Sequence, residues 1–414
     1  MKTLNKIQSI LKHRVAINSL FIFSIQIMNM IAPLLVMPYL SRELSVDNFG
    51  MIMIIFSMSA ICLVITDFGF NLSATYRISQ CRDDKSEVAR VVGGVLLSKL
   101  LILFLVIIFL VIYNNYSSIV LSNELEFYTV INIICQSFIP FYFYQGIEKV
   151  KAMLVSVFLT KFFYVIGVFA FVDNNNYELV ILIYAVSNLF SSLILILGIY
   201  KNKYYIEKPK FDYTMKLIID SSQFFLSRAA VLVNSSASTL IVGTFSGANQ
   251  AALYGASEKI FQASQSVTSS ITQALFPYLA LNKNSNVLIN VLCIVGIPLS
   301  LFLFLTSHFT SDILNLIFGH KYIEAYPILN YFLVIIGISF ISSMFGYPAF
   351  AQLNKVNYAN YTVILGSLFQ IIFIVFLYLN NGLTAINMVK AVVITEMIIL
   401  ICRLVLYYSV KRTY

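Results

Sequence analysis

The chain has 414 residues, of which 59% are hydrophobic and 11% charged, and its mean hydropathy is +0.86. A soluble domain carries about 25% charged residues, so the composition excludes an ordinary soluble globular protein. It favours an all-α polytopic membrane protein, because helices satisfy their own backbone hydrogen bonds inside a bilayer. The net charge of +9 alone would suggest a nucleic-acid partner. The distribution of the cations along the chain, described below, argues against one.

Apolar runs of membrane-spanning length follow one another along the chain, and about 20 residues suffice for one spanning helix. The runs, about twelve in number, lie at residues 15–39, 49–70, 88–112, 124–146, 152–172, 178–200, 216–243, 250–280, 286–307, 327–350, 356–380 and 384–409. The first run is too long for a signal peptide, and no small-residue cleavage site follows it. The seventh and eighth runs are the most polar, which is typical of helices that pack closely or line a cavity.

The cations alternate from loop to loop. Of the 27 Lys and Arg residues, 19 lie in the N-terminal arm, in every second loop and in the C-terminal tail. Only Arg42 and Lys321 lie in the other loops, and the rest lie inside apolar runs. This is the positive-inside pattern, and it predicts that both termini are cytoplasmic. The basic charge therefore indicates topology and contact with anionic membrane lipids, and it argues against a nucleic-acid partner.

The chain shows a weak internal repeat. A short outer loop with an aromatic residue and glycine at its end occupies residues 40–50 after the first run, and a similar loop occupies residues 243–255 after the seventh. Six spans separate the two loops, which favours parallel repeats related by an axis along the membrane normal. We therefore predict an N-terminal six-helix lobe at 1–200, a basic cytoplasmic linker at 201–216 and a C-terminal six-helix lobe at 217–414.

Three cations lie deep inside apolar runs, where a charge costs about 2.5–3.5 kcal/mol on insertion scales. Lys99, Lys161 and Arg228 each lie about 15–18 Å from a helix end at 1.5 Å per residue, which is close to the membrane midplane. They are candidates for a cationic cavity that binds an anionic substrate, since Arg offers a fork for phosphate oxygens and Lys a point charge. In the alternative, each cation pairs with a nearby acid, or snorkels, and only holds helices together.

Other charged residues in the runs are candidates for gating or for carrying a coupling proton, because a buried carboxylate can titrate in the physiological range. In the alternative, a neighbouring cation such as Arg403 neutralises an acid, or Asp67 is simply a turn residue within Asp-Phe-Gly. The gating candidates are Asp67, Glu258, Lys259 and Glu396.

Several short blocks of the chain form a recognisable series. They are PYLSREL at 38–44, FG at 49–50, DFGF at 67–70, YQGIEK at 144–149, YGASEK at 254–259 and QALFPY at 273–278. In this order the blocks resemble those of Wzx-type O-antigen flippases, which form part of the polysaccharide-transporter branch of the multidrug/oligosaccharidyl-lipid/polysaccharide exporter superfamily. Family members commonly have Trp or another aromatic residue at the position of Tyr144, and this chain has no Trp.

The resemblance implies two six-helix lobes around a central cavity in the bacterial inner membrane. It implies transfer of an undecaprenyl-pyrophosphate-linked oligosaccharide, the O-antigen repeat unit, from the cytoplasmic to the periplasmic leaflet by alternating access. It also implies the partners expected of such a protein, namely the lipid-linked substrate, an O-antigen polymerase and a chain-length regulator. No cofactor is expected, and transport would be coupled to a H⁺ or Na⁺ gradient.

Two other functions are weighed against this one. A cation-coupled multidrug exporter of the same superfamily would favour an acid-rich cavity, whereas the midplane of this chain is rich in cations. A membrane-embedded polysaccharide enzyme such as a polymerase would need a catalytic loop. The longest outer loop, at 308–326, has no recognisable catalytic spacing, and the DxD, HExxH, GxGxxG and P-loop patterns are absent from the sequence. The sequence therefore predicts a transporter and not an enzyme.

Overall fold

The computed structural model describes residues 2–413 apart from 118, 120, 235, 283 and 284, and all regular elements in this part of the chain are helices. Ser235 of the polar seventh run and Lys283 of a predicted cytoplasmic loop thus lie outside the described residues. A π-helix at Leu292–Gly296 joins α12 to α13, and a 3₁₀-helix at His320–Ala325 precedes α15. Helices α1 to α18 span, in order, Lys2–Glu43, Val46–Asp67, Phe70–Cys81, Lys85–Tyr116, Asn123–Ser137, Phe141–Gly146, Val150–Phe171, Leu179–Lys201, Phe211–Asn234, Ala237–Ser246, Ala248–Asn282, Ser285–Val291, Ile297–Ser307, Thr310–Phe318, Tyr326–Met344, Tyr347–Gln352, Asn357–Leu379 and Ala385–Thr413.

Among the described residues, nine helical segments are long and apolar enough to cross a membrane. They include α1, α4, α7, α8 and α17, and each of the others combines consecutive helices. The predicted runs at 216–243, 250–280 and 384–409, which α9 to α11 and α18 cover, are not among the nine. The prediction of an all-α polytopic membrane protein is confirmed. The count of twelve spans and the cytoplasmic position of both termini stay predictions.

Several predicted spans are interrupted, and proline and glycine explain where. The fourth run divides into α5 and α6 just before Phe141, because Pro140 has no N–H group for a helical hydrogen bond. The tenth run divides into α15 and α16 at Phe345 and Gly346, and Pro348 then occupies the first turn of α16. Such breaks free backbone groups inside the membrane, so they are tolerated where protein or a cavity surrounds them.

The local structure repeats itself along the chain. The six-residue helices α6 and α16 begin at Phe141 and Tyr347. The difference between these two residue numbers is the repeat offset. A residue with positive φ follows α6 and another follows α16, namely Glu148 at 59° and Asn354 at 54°. These two residues are also one repeat offset apart. Helices α8 and α18 also begin one repeat offset apart. A single offset therefore relates these elements of the two halves of the sequence, and the parallel arrangement of the halves stays a prediction.

The chain forms two compact units. Unit 1 comprises Met1–Val36 and Ser59–Arg228, and unit 2 comprises Met37–Met58 and Ala229–Tyr414. The boundaries fall inside α1, α2 and α9, so a unit does not begin or end where a helix does. The two predicted six-helix lobes and the linker between them stay a prediction.

Within unit 1, a polar cluster joins α3, α4 and the first turn of α9, and Glu87 lies at its centre. The Glu87 carboxylate pairs with Arg77 at 3.1 Å and with Arg90 at 3.3 Å. The Tyr213 hydroxyl donates to the same carboxylate at 3.0 Å, and Arg77 lies 5.0 Å from the Tyr213 ring centre. Burial raises the pKa of Tyr213 to about 12, so the hydroxyl keeps the proton that it donates.

Candidate functional site

The position of Asp67 follows from a tight turn in unit 1. Helix α2 ends at Asp67, and Phe68 and Gly69 then adopt positive φ values of 43° and 81° before α3 begins. The Phe68 ring stacks on Phe225 of α9 with 4.5 Å between ring centres. A Cβ atom at Gly69 would lie 2.7 Å from the side chain of Phe224, so this turn requires glycine. The Asp-Phe-Gly sequence thus fixes the Asp67 carboxylate at a helix end.

Lys99 lies in the middle of α4 and points to this carboxylate. Only 4% of its side chain is exposed. Its Nζ atom donates to the carbonyl oxygen of Ser137 at 2.8 Å and lies 3.7 Å from Oδ1 of Asp67. The ammonium also lies 5.6 Å from the centre of the Tyr142 ring. A carboxylate, a carbonyl and an aromatic face together offset the desolvation of a buried ammonium.

Arg228 reaches the other oxygen of the same carboxylate. Its Nη1 atom donates to Oδ2 of Asp67 at 2.9 Å, and 41% of the Arg228 side chain is exposed. Asp67, with 9% of its side chain exposed, is therefore shared between the buried Lys99 and the exposed Arg228. The group of three carries one net positive charge, which an anion could neutralise.

Lys161 is placed differently, because among the described residues it contacts an aromatic side chain instead of an acid. Its Nζ atom donates to the Tyr184 hydroxyl of α8 at 3.3 Å and lies 5.0 Å from the centre of the same ring. The Tyr184 ring in turn packs edge-on against Tyr164. A phenol supplies no counter-charge, so Lys161 can bind an anionic ligand without first leaving an acid.

Three of these charged side chains line one cavity of about 230 Å³ within unit 1, whereas Arg228 is not among its lining residues. Its lining includes Asp67, Lys99 and Lys161 together with Tyr184 and a set of Asn, Gln, Ser and Thr residues. Oδ1 of Asp67 and Oδ1 of Asn71 are buried at the cavity without a hydrogen-bond partner among the described residues. Two cations, one shared acid and free acceptors thus converge on a space that is large enough for part of a ligand.

The other predicted residues lie in unit 2. Glu258 is buried and accepts a hydrogen bond from the Thr239 hydroxyl at 2.5 Å. The neighbouring Lys259 donates to the Gln262 side chain at 3.1 Å. Glu258 and Lys259 thus each have a polar partner of their own. They are adjacent on one helix, where neighbouring side chains point in different directions and do not face each other. The roles of both residues in gating stay predictions.

Glu396 and Arg403 share a second cavity of about 340 Å³, and within the described residues they are not ion-paired. Arg403 is buried and donates to the Ser342 carbonyl oxygen at 2.7 Å and to the Thr362 hydroxyl at 3.1 Å. Glu396 has no hydrogen-bond partner in the part of the chain that the structure describes. The role of Glu396 in proton coupling stays a prediction.

Reasoning from the sequence missed several residues that complete the first site. Tyr184 and Ser137 contact Lys161 and Lys99, and neither is charged, so they did not stand out in apolar runs. A usable signal was present in α8. Tyr184, Asn188 and Ser191 recur at helical spacing in an otherwise apolar helix, and all three line the cavity.

The many apolar helices and the charged cavities define a multi-pass membrane transporter. A family model described as polysaccharide biosynthesis protein matches residues 15–283 of the chain. The chain belongs to this family. Its resemblance to the O-antigen flippases is thereby confirmed, as is the prediction of a multi-pass protein of the bacterial inner membrane.

Two curated relatives agree with this assignment. A protein of Escherichia coli (strain K12) that is named as an O-antigen transporter is 26% identical over 331 residues, which cover 75% of this chain and 77% of the relative. A protein of Shigella dysenteriae with the same name is 28% identical over 276 residues, covering 64% and 67% of the two chains. The names are those of transporters, and the prediction that the chain is not an enzyme is confirmed.

Solved structures share the fold across nearly the whole chain. An inward-facing multidrug resistance MATE family transporter of the MOP superfamily matches with a TM-score of 0.67 and 12% identity, covering 94% of this chain and 96% of that one. The lipid II flippase MurJ in an inward closed conformation matches with a TM-score of 0.66 and 14% identity, covering 96% and 87%. At this identity the likeness establishes the fold and not the substrate.

Proposed function

We propose that the chain is a flippase for an undecaprenyl-pyrophosphate-linked oligosaccharide, the O-antigen repeat unit, which it moves from the cytoplasmic to the periplasmic leaflet. The family and the relatives named as O-antigen transporters support a lipid-linked polysaccharide cargo. The observation that carries the proposal is the cationic cavity of unit 1, where Lys99 and Lys161 lie beside one acid, Asp67.

The cavity chemistry suits a pyrophosphate. Its oxygens would bind the Lys161 ammonium and compete with Asp67 for Lys99 and Arg228. Asp67 holds these two cations in place before the anion arrives, so the site is preorganised and the buried Lys99 keeps a counter-charge. A guanidinium binds two phosphate oxygens through parallel hydrogen bonds, whereas an ammonium attracts them as a point charge.

The transport cycle in this proposal is alternating access between two six-helix lobes around a central cavity. The oligosaccharide and pyrophosphate pass through the cavity while the lipid tail remains in the bilayer. Twelve spans with both termini in the cytoplasm would put the basic loops on the side where the cargo is made. A H⁺ or Na⁺ gradient would drive the cycle, with Glu258 or Glu396 as the coupling acid and Lys259 nearby. An O-antigen polymerase and a chain-length regulator are the proposed partners.

A multidrug exporter is the second candidate, because the MATE transporters share the fold. Glu396 is the residue that favours it, since a carboxylate without a hydrogen-bond partner among the described residues could attract a cationic drug. The charges of unit 1 favour the flippase, because Lys99 and Lys161 would repel such a drug from that cavity.

The experiment places the chain in a bacterial host whose own O-antigen flippase gene is deleted. We expect the wild-type chain to restore surface glycan, and K161A and R228A to lose most of it while remaining in the membrane fraction at normal levels. K390A is the matched control, because Lys390 is also a cation inside a predicted span and lies in unit 2 beside Tyr331. Normal surface glycan in a triple variant of Lys99, Lys161 and Arg228 would refute the cavity model.

A further inference from the structure

Part of the lining of the unit 1 cavity recurs in unit 2, displaced by the repeat offset along the chain. Six positions that line the unit 1 cavity have counterparts at this offset that line cavities of unit 2. The same offset relates α6 to α16. Some of the residue types persist, such as Thr66 and Thr272 or Ser137 and Ser343. The pairs of positions are 66 with 272, 67 with 273, 136 with 342, 137 with 343, 141 with 347 and 157 with 363.

The charges of the first cavity are not repeated in the second. An acid and two lysines of unit 1 are replaced by an amide, an aliphatic residue and a hydroxyl, and the amide lines a unit 2 cavity. The acid and the two lysines are therefore present only in the unit 1 cavity, and the unit 2 cavity has its charges, Glu396 and Arg403, at other positions. The counterparts of Asp67, Lys99 and Lys161 are Gln273, Leu305 and Ser367.

The unit 2 cavities form a continuous series along α11. They have volumes of about 340, 510 and 550 Å³. The first and second share Ser343 and Arg403 in their linings, and the second and third share Phe276 and Val356. The last reaches the turn that holds Lys355, in a loop predicted to be cytoplasmic. The series is far larger than the unit 1 cavity and would accommodate several sugar rings.

The polar groups of this series suit hydroxyl ligands. The Glu396 carboxylate has no hydrogen-bond partner among the described residues and could accept from a ligand. Gln262 and Gln265 line the same cavity, where Gln262 accepts from Lys259 and Gln265 donates to Ser339. Arg403 supplies a positive charge that compensates the carboxylate, while its hydrogen bonds to Ser342 and Thr362 hold its donors in place. A buried acceptor without a hydrogen-bond partner is unfavourable. A ligand with many hydroxyl groups can donate to such acceptors and also accept from amide donors, so the site favours this kind of ligand.

Aromatic side chains alternate with these polar groups along the series. Phe261 lines the first cavity, Phe276 and Tyr347 line the second, and Tyr361 lines the third. The Phe276 and Tyr347 rings lie 6.4 Å apart and at right angles. Aromatic faces attract the weakly positive C–H groups of a sugar ring, just as they attract ring edges. Aromatic faces between hydrogen-bonding groups are the chemistry that carbohydrates need.

We propose that the unit 2 cavity series is a glycan site, which binds the hydroxyl-rich sugar residues of the cargo while unit 1 binds its pyrophosphate. This inference rests on the proposed function and names the substrate part that each unit recognises. An anionic ligand would be repelled by the Glu396 carboxylate, and Nε and Nη1 of Arg403 already donate to Thr362 and Ser342. An acyl chain would offer the Glu396 carboxylate no hydrogen-bond donor, which is unfavourable for a polar group in a cavity.

Fluorescence tests the assignment, because the chain has no Trp and one can be added at equivalent positions of the two cavities. F141W reports on unit 1, and Y347W reports on unit 2. Each purified full-length variant is titrated with three probes. They are inorganic pyrophosphate, tetraphenylphosphonium, and the free oligosaccharide that mild acid releases from the lipid-linked pool of the source strain.

We expect the oligosaccharide to shift the emission of Y347W with a Kd of about 1 mM and to leave F141W unchanged. Pyrophosphate should do the reverse. Adding E396Q to Y347W should weaken oligosaccharide binding about tenfold. M397L is the matched control, because Met397 is the next residue of α18 and its side chain is exposed. F276W replaces Y347W as the reporter if the latter does not fold.

The inference is wrong if the oligosaccharide leaves both unit 2 reporters unchanged, or if it shifts F141W equally. It is also wrong if tetraphenylphosphonium binds Y347W and the oligosaccharide does not, since the site would then be one for organic cations. These failures differ from failure of the proposed function, in which the wild-type chain does not restore surface glycan. A chain that restores glycan without binding the free oligosaccharide in unit 2 would refute the glycan site alone.

Discussion

The guanidinium of Arg228 lies 2.9 Å from the carboxylate of Asp67, although the two positions are far apart in the chain. The other oxygen of the same carboxylate lies 3.7 Å from Nζ of Lys99. The two cations differ in environment, because 41% of the Arg228 side chain is exposed and only 4% of the Lys99 side chain is. The ion pairs of Asp67 with Lys99 and with Arg228 should therefore contribute unequally to the free energy of unfolding.

The first prediction separates these two ion pairs. R228A should lower the free energy of unfolding by less than about 1 kcal/mol, since exposed pairs are screened by water. D67N should lower it by about 3–5 kcal/mol, because it leaves the Lys99 ammonium buried without a counter-charge. Thermal unfolding in detergent measures both. Equal losses for the two variants would contradict the assignment of Lys99 as the buried partner.

The second prediction removes the buried pair as a whole. Leucine carries no charge, so K99L removes the ammonium that D67N alone would leave buried without a counter-charge. D67N/K99L should recover most of the stability that D67N loses, since replacing both charges is far less harmful than removing one. It should nevertheless fail to restore surface glycan in the deletion host. Recovery of stability together with full glycan would show that Lys99 serves structure alone.

The third prediction concerns the close approach of α8 to Tyr144, the first residue of the YQGIEK block. The Tyr144 hydroxyl donates to the Leu195 carbonyl oxygen at 2.6 Å, and a Cβ atom at Gly198 would overlap that hydroxyl. G198A should therefore destabilise unit 1 by about 1–3 kcal/mol. Adding Y144F removes the overlapping oxygen and leaves the ring carbon 3.4 Å away, so it should recover part of the loss.

G337A provides the control for that experiment. Among the described residues, a Cβ atom at Gly337 would come within 4 Å of Leu303 alone, at an ordinary distance of 3.7 Å. Alanine is also the better helix former, so G337A should be neutral or stabilising. Additive effects of G198A and Y144F would argue against a direct clash between these two residues.

The fourth prediction uses the salt dependence of the cluster around Glu87. Its ion pairs with Arg77 and Arg90 are partly exposed, so each should contribute only about 0.2–1 kcal/mol. The screening length falls from about 10 Å at 0.1 M salt to about 3 Å at 1 M, which weakens such pairs. Raising the salt concentration should lower the melting temperature of the wild-type chain more than that of E87Q. An identical salt response would exclude a contribution from the cluster.

The fifth prediction concerns pH. Asp84 caps α4 and accepts hydrogen bonds from the backbone amides of Ser86 and Glu87, at 3.0 and 3.1 Å. The Ser86 hydroxyl and these amides lower the pKa of Asp84 below its usual value of 3.8. The folded state thus favours the ionised form, and the cap stabilises fully above pH 3.8 and loses its effect as the pH falls through the lowered pKa. The melting temperature of the wild-type chain should fall relative to D84N over that acid range, and parallel curves would contradict this.

The sequence identified the class of protein and the charged residues of unit 1, because a charge in an apolar run is conspicuous wherever it folds. Lys99, Lys161 and Asp67 do line one cavity. The sequence could not show that Lys99 and Arg228 both pair with Asp67, because the three residues lie on different helices, α4, α9 and α2, and no helical spacing relates them. The contact between Lys161 and Tyr184 was hidden for a similar reason, because Tyr in a membrane helix is usually an interface residue.

Other features depended on local geometry that side-chain types do not reveal. The spacing of Glu396 and Arg403 along one helix suggested a neutralised acid, yet Arg403 bonds to Ser342 and Thr362 of other helices. The repeat offset was also hidden, because it is carried by helix breaks and positive φ values. Few identical residues mark it, among them Lys149 with its counterpart, also a lysine, in the loop after α16.

The duplicated cavity with unequal side chains has a consequence for how such a protein changes over time. Substitutions at Gln262, Gln265 or Glu396 would alter the chemistry of one copy, while Lys99 and Lys161 in the other copy remain untouched. Two recognition tasks that share one backbone design can thus evolve at independent rates. A lineage could keep the machinery for a constant membrane anchor and adapt to a new surface polymer by changing one half of its sequence.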